Sequence, residues 1–437
     1  MQPSALPVAS STVPFWRTER HALDEHRSTA ELPEECDVLI IGAGYAGITT
    51  AYNLVDEIEA PPSIVLLEAR QACSGATGRN GGHLRPSPGA AVFDKYGVAA
   101  AVEVALFEIA HLQVIKDLVE MEKIDCELSF CRARHVITNP GILQGLKGMI
   151  EAMRESSQTI FENWHFVEGA AAEEISGVKG ALAVFICDAG QLWPYKLLTH
   201  LLALAMANGV NLQTNTPVLS ASKIIDEDGF WHFNTPRGTI KARKVVYTTN
   251  GFTSALLPEY AGVIFPVRAI CSHIKIPKDE EAPKLLGSYC INYNQSWDYL
   301  IQREDQSIIA GGGGITFRDD YSQWRNNVND NALIEPARHY FDNYMQRNFK
   351  DWEDSGAYVD KIWTGITGCT PDSLPHIGSL PNKSSQFVLA GFNGHGMPVI
   401  FLAAKGIAQM IKNGITFEET GMPHVFKTTQ QRLDQKV

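Results

Sequence analysis

The stretch CDVLIIGAGYAGITTAYNL, residues 36–54, restricts the fold of this chain more than any other. It opens with a short continuous apolar run, the mark of a strand buried in a parallel sheet. Glycines follow at 42, 44 and 47, and helical patterning then runs to about Val55. PPSIVLLEAR restarts with proline and gives a second strand over Ile64–Glu68. The order strand, turn, helix, strand predicts a right-handed parallel crossover. In this GxGxxG turn Gly42 permits the tight bend and Gly44 lets the backbone approach a pyrophosphate. Gly47 lets the helix pack closely on the strand. The helix start offers N–H groups and partial positive charge to phosphates. Glu68 lies 21 residues past Gly47, near the ~20 expected of a ribose-binding carboxylate. Together these features point to a dinucleotide. Glu68 opposes a 2′-phosphate by repulsion, although Arg70 stands beside it.

A chain of 437 residues is too long for one ordinary core, so two domains are expected. Residues 1–33, rich in proline and serine at their start, read as an arm. Segments 34–88, 189–255 and 357–425 read as one discontinuous dinucleotide-binding domain. Segments 89–188 and 256–356 read as a second, β-sheet-rich domain that holds the substrate. The fold class is α/β (α+β overall), with a parallel Rossmann-like sheet drawing strands from both ends of the chain. Helices are expected over Tyr96–Ile124, Gly141–Glu155, Pro194–Asn208 and Ala332–Met345, and after the turn GFNGHGMP.

The net charge of −12 argues against nucleic acid, which needs clustered Lys and Arg. No run approaches the ~18 consecutive apolar residues of a membrane span. The N-terminus lacks a basic region and apolar core of a signal peptide, and LDQKV carries no peroxisomal address. A cytoplasmic location is the expectation. None of the eight cysteines forms a CxxC pair, and no His/Cys set has zinc spacing, so reduced thiols and no metal are expected.

Three glycine-rich stretches lie outside the first turn: SGATGRNGGHLRPSPG (74–89), WTGITGCTPDSLPHIG and GFNGHGMP. With the GxGxxG turn they resemble the D-amino-acid oxidase (DAO) superfamily of FAD enzymes, over Asp37 to about Ile411. SGATGRNGGH is most similar to its gamma-glutamylputrescine-oxidase-like branch. The resemblance implies FAD as cofactor. It implies that Gly42, Gly44, Tyr45, Ala46, Gly47, Glu68, Ala69 and Arg70 hold the ADP half. Ala76, Thr77, Arg79, Asn80, Gly81 and Gly82 would wrap the pyrophosphate and ring edge. Val218 matches the strand that meets the adenine, and Thr249, Asn250 and Gly251 the turn over the pyrophosphate. Asp372 belongs to a TPD motif, and Asn393, Gly394, His395, Gly396 and Met397 would lie against the flavin pyrimidine. Where some members attach the flavin through cysteine stands Gly365, with Cys369 four residues later; where others use histidine stands Asn80, with His83 three residues on. Noncovalent FAD follows.

The implied reaction is oxidation of a C–N bond in an amine or amino acid, by hydride transfer to flavin N5. It leaves an imine and, with oxygen as acceptor, hydrogen peroxide. His83 and His395 flank the glycine turns and can act on protons. Arg268 can pair with a substrate carboxylate, as can Arg303. Tyr299 and Trp363 are pocket candidates, as are Trp297, Tyr293 and Tyr195. Each of these also has a plain packing or ion-pair reading, and His376 reads as structural. The strand IIAGGGGITF offers no lysine for oxygen activation. The competing readings are a flavin dehydrogenase with another acceptor, a tailoring oxidoreductase on a more complex amine, a nicotinamide-linked dehydrogenase, an aromatic hydroxylase and a non-catalytic flavin scaffold.

Overall fold

The computed structural model describes residues 5–436 apart from 57, 88, 158, 159, 161, 278–281, 294 and 295, so residues 1–4 of the arm lie outside it. Two sheets carry the molecule. The first runs His376–Ser379, Gln386–Ala390, Gly238–Tyr247, Glu35–Ile41, Ile64–Leu67, Asn211–Gln213. Its strands from Gln386–Ala390 to Asn211–Gln213 are mutually parallel. A hairpin, Ser220–Ala221 and Trp231–Thr235, extends Gly238–Tyr247. Strands from both ends of the chain do meet here. Leu39, Ile40 and Leu66 are fully buried, as the unbroken apolar runs require.

Helix Tyr45–Val55 follows the first strand and packs on Ile400–Asn413 and Pro194–Ala207. Gly47 makes the turn possible. A Cβ there would sit 1.8 Å from the carbonyl oxygen of Gly42, and Gly42 itself has φ +112°.

The second sheet has nine strands. Its main order is Tyr358–Cys369, Phe265–Lys275, Ile308–Gly312, Ser296–Gln302, Gly287–Tyr293, Ser129–Ile137, Ala183–Gln191, His83–Leu84. His165–Glu168 joins through Ala183–Gln191. Pairing is antiparallel except between Gly287–Tyr293 and Ser129–Ile137. Tyr358–Cys369, grouped by sequence with the dinucleotide-binding part, pairs along its length with Phe265–Lys275. Its far end still meets the loop that follows Gln386–Ala390 of the first sheet, because Asn393 N–H donates to Gly368 O at 2.7 Å. Adjacency in sequence cannot tell which sheet a strand joins when it ends at the boundary between two.

The helix expected over Ala332–Met345 is not formed. A 3₁₀ turn at Glu335–Ala337 and a short helix at Tyr344–Asn348 take its place. Pro336 removes an amide donor, and Asn343 is left-handed at φ +52°. The helix expected over Tyr96–Ile124 spans Ala90–Met121, kinked at Gly97. By length and composition it is apolar enough to cross a bilayer, with mean hydropathy 1.8 in its most apolar window, which a search for unbroken apolar runs does not detect. It buries Glu108, His111 and Ile115 against the rest of the protein.

Candidate active site

Two adjoining cavities lie where the sheets meet. The larger, about 320 Å³, begins at the first glycine turn. Gly42, Gly44, Tyr45 and Ala46 line it, with Glu68, Ala69 and Arg70 from the end of the second strand. Ala76, Thr77, Arg79 and Asn80 form another wall. Val218, Thr249 and Asn250 border it, as do Gly394, Gly396 and Met397. Leu6 and Pro7 of the arm also line it.

The residues at this turn fit a dinucleotide. Gly44 caps the helix without any side-chain acceptor, leaving the helix start open to an anion. A Cβ on Gly44 would press within 3.1 Å of Thr77 Oγ1, tighter than an ordinary contact, so a side chain there crowds the cradle. Thr77 Oγ1 accepts the Tyr45 N–H at 2.8 Å. The Glu68 carboxylate accepts N–H bonds from Ala43 at 2.9 Å and Arg70 at 2.8 Å. Burial raises its pKa, opposed by those two amides. A carboxylate held this way beside a cavity is placed to receive ribose hydroxyls.

Several expected cofactor residues serve elsewhere. Arg70 makes a two-pronged ion pair with buried Asp330, both contacts 3.0 Å. Arg79 donates to Ser74 O, Thr12 Oγ1, Thr364 O and Ser11 Oγ. Their guanidinium groups are therefore taken, although both residues border the cavity. Asp372 lines neither cavity; Arg432 Nε meets its carboxylate at 2.8 Å. Gly47, Gly82, Gly251 and Asn393 likewise line neither. Gly82 and Gly251 are packing glycines: a Cβ would meet Leu192 O at 2.7 Å and Thr367 O at 2.8 Å. Asn393 Oδ1 accepts the Thr370 N–H at 2.8 Å and ties the two glycine-rich strand ends together.

The second cavity, about 80 Å³, is lined by Gly81, His83, Arg85, His395 and Pro398, with Asn80, Tyr299, Gly394 and Met397. Those last four also line the first cavity, so they form the partition. Glycines make room for the Tyr299 ring: a Cβ at Gly311 would lie 2.3 Å from its Cζ, and one at Gly81 2.6 Å from its Cε2. The glycine run that lacks a lysine is thus the floor under a tyrosine. The Tyr299 hydroxyl meets Cys271 Sγ at 3.1 Å. Burial raises the tyrosine pKa well above its usual value and pushes the Cys271 thiol up to about 12.

His83 Nδ1 lies 2.7 Å from Ser288 Oγ, and its Nε2 is buried without a partner. Burial, then the charges of Arg85 and His395, hold its pKa well below 6.5, so the ring is neutral. His395 Nε2 lies 3.0 Å from Glu108 Oε1. Glu108 is 3% exposed, and its other oxygen accepts the Ser87 N–H at 2.6 Å. Arg85 donates from Nη1 to Tyr289 O at 3.3 Å, while its buried Nε has no partner. No carboxylate pairs with Arg85 among the described residues.

The structure brings His83, His395 and Tyr299 together and leaves two other candidates out. Arg268 donates to the carbonyls of Gln323 at 3.0 Å and Ala332 at 2.6 Å. Trp363 is fully buried and donates to Arg79 O at 2.9 Å. Arg303 is ion-paired with Glu127 and Asp305. Tyr195 bonds Asp24, while Trp297 and Tyr293 line neither cavity. His376 Nδ1 lies 3.0 Å from Thr428 Oγ1. Sequence reasoning passed over Arg85 and Glu108. Arg85 stood two residues past His83 in a stretch already singled out. Nothing local marks Glu108, which sits on an apolar helix.

The family model described as "DAO: FAD dependent oxidoreductase" matches residues 37–410. Gamma-glutamylputrescine oxidoreductase of Escherichia coli is 24% identical over 400 residues, covering 86% of this chain and 84% of that protein. Among solved structures, glycine oxidase from Geobacillus kaustophilus superposes with TM-score 0.73 at 18% identity, covering 91% of this chain and 99% of that one. L-Proline dehydrogenase from P. horikoshii superposes with TM-score 0.69 at 21% identity, covering 88% and 95%. At these identities the superpositions establish a shared fold.

Proposed function

The chain belongs to the DAO family of FAD-dependent oxidoreductases, and on that premise we propose that it oxidises the C–N bond of an amine or amino acid, with oxygen as acceptor and hydrogen peroxide as product. FAD, when bound, would supply the electron sink for the hydride lost from the carbon beside nitrogen, and water would hydrolyse the resulting imine. The observation that carries this reading is the shared partition. Asn80, Tyr299, Gly394 and Met397 border both the dinucleotide cavity and a polar chamber holding two histidines and an arginine whose Nε has no partner.

The chain's own residues divide the work. The turn at Gly42–Gly47, Glu68 and Val218 hold the ADP half, and Thr77, Asn80, Thr249 and Asn250 hold the cofactor's middle. In the second chamber Glu108 accepts the Nε2–H of His395, which leaves the Nδ1 lone pair free. His395 Nδ1 takes the proton of the substrate ammonium, because hydride departs only beside a neutral amine. Arg85, whose Nε has no partner, meets an anionic group of the substrate. Tyr299, held protonated, closes the chamber and keeps water from the reacting carbon.

FAD is held without a covalent bond in this reading. Gly365 has no side chain to attach it, and His83 lines only the second chamber. Cys271 borders the first cavity, but with its pKa near 12 it is a neutral thiol and a poor nucleophile. Heat or acid should release all of the yellow colour into the supernatant. The activity test is anaerobic bleaching of the flavin across a panel of amines and amino acids, then peroxide assay in air. Bleaching without peroxide points to another electron acceptor; no bleaching by any amine overturns the proposal.

A further inference from the structure

Leu6 and Pro7 line the larger cavity, yet no dinucleotide motif includes them. They belong to ALPVASSTVPFW, a segment with no regular structure before the 3₁₀ turn Phe15–Arg17. An irregular arm orders only when contacts offset its lost freedom. Here those contacts run to the cofactor loops themselves. Val8 O accepts from Arg70 Nη1 at 3.3 Å. Ser11 Oγ and Thr12 Oγ1 accept from the two terminal nitrogens of Arg79. Thr12 N–H donates to Asp330 O at 2.8 Å, and Thr12 Oγ1 receives the Thr364 N–H at 3.1 Å. Trp16 is 1% exposed, and its Nε1 donates to Asn80 O at 2.5 Å. Trp193 Nε1 holds the arm from behind through Trp16 O at 2.8 Å.

We propose that residues 6–16 are part of the cofactor site: a strap across the adenosine end of FAD, latched by Arg70, Arg79 and Asn80. The end is fixed by Arg70, two residues beyond Glu68, whose carboxylate accepts the Arg70 N–H. Val8 bonds Arg70, so Leu6 and Pro7 lie at the Glu68 end of the cavity. Their chemistry suits a purine. Pro7 has no N–H to leave unpaired, and both present apolar surface to a flat aromatic ring. It also explains why two cavity arginines are wholly engaged with protein: they seat the strap rather than bind phosphate. The consequence is slow exchange, because the dinucleotide leaves only after the strap lifts.

This inference rests on FAD as cofactor and not on the proposed reaction. Three proteins test it: the full chain, a deletion of residues 1–13, and the double substitution Leu6→Ser with Pro7→Ser. Each is stripped of FAD, melted, and titrated with FAD; release is followed by the rise in free-flavin fluorescence on dilution. The expected result is an FAD Kd raised about tenfold or more and faster release in both variants, with the apoprotein melting temperature of the double variant unchanged. Unchanged Kd and release rate in the double variant would overturn the strap, as would a loss of Kd explained by a lower apoprotein melting temperature. Should the deletion fail to fold, the double variant decides alone, since neither side chain belongs to a core cluster.

Discussion

His111 provides a sharp test of how the Ala90–Met121 helix is joined to the cofactor-side helix Ile400–Asn413. It is fully buried. Its Nδ1 lies 3.2 Å from Phe107 O, and its Nε2 accepts the Leu402 N–H at 3.1 Å. Only the neutral ring with hydrogen on Nδ1 satisfies both. Leu402 is in the first turn of its helix, so His111 supplies the acceptor which that turn otherwise lacks. A protonated ring would lose this bond and set positive charge at a helix start. Burial accordingly lowers its pKa from 6.5 to about 4, against the backbone groups of Phe107 and Val399, which raise it. The folded value is depressed, so the stabilisation is complete above 6.5 and is lost as pH falls toward 4. Between about pH 7 and about pH 5 the linkage relation gives a loss of about 2 kcal/mol from this group alone. His111→Gln cannot titrate but keeps an acceptor and a donor. Urea unfolding of both proteins at both pH values isolates the term, because every other histidine cancels in the double difference. The wild type should lose about 2 kcal/mol more than the variant. Equal losses in the two proteins would refute the assigned tautomer and the helix-start role together.

Gly47→Ala forces a Cβ to 1.8 Å from a backbone oxygen that no rotamer change can move; the cost is at least ~1–3 kcal/mol, and the purified protein should be colourless by flavin absorbance. Arg85→Leu should raise KM for a carboxylate-bearing amine by about 10–100-fold, the worth of a charged hydrogen bond, while leaving KM for an uncharged-tail amine nearly constant; equal changes for both substrates would remove Arg85 from recognition. Glu108→Gln should slow anaerobic flavin bleaching by at least about 100-fold, the low end of acid–base contributions, with FAD affinity retained. Loss of FAD instead would make Glu108 a structural residue.

The parallel crossover at the first glycine turn was legible because its determinants are local. Gly42, Gly44, Gly47 and Glu68 act through a tight turn, a helix start and the end of an adjacent parallel strand, all within one crossover unit. Period and glycine spacing report such geometry directly. His83 and His395 stood out in the sequence because each flanks a glycine turn, and both line the second cavity. Contacts that depend on distant segments were not. Arg70 looked like a phosphate ligand until Asp330, 260 residues away, closed on it. Arg268 and Trp363 looked catalytic, but carbonyls of distant segments, at Gln323, Ala332 and Arg79, take their donors.

The parallel dinucleotide fold and the family's cofactor could be read from the residues alone, because local backbone chemistry admits few alternatives at that turn. Which polar groups remain free depends on how distant segments pack. Arg85 keeps an unpaired nitrogen, Glu108 reaches His395 across 287 residues, and an arm with no motif forms a wall of the cavity. A polar side chain is functional or structural according to whether a partner reaches it first, and that is a property of long-range packing, not of neighbours along the chain.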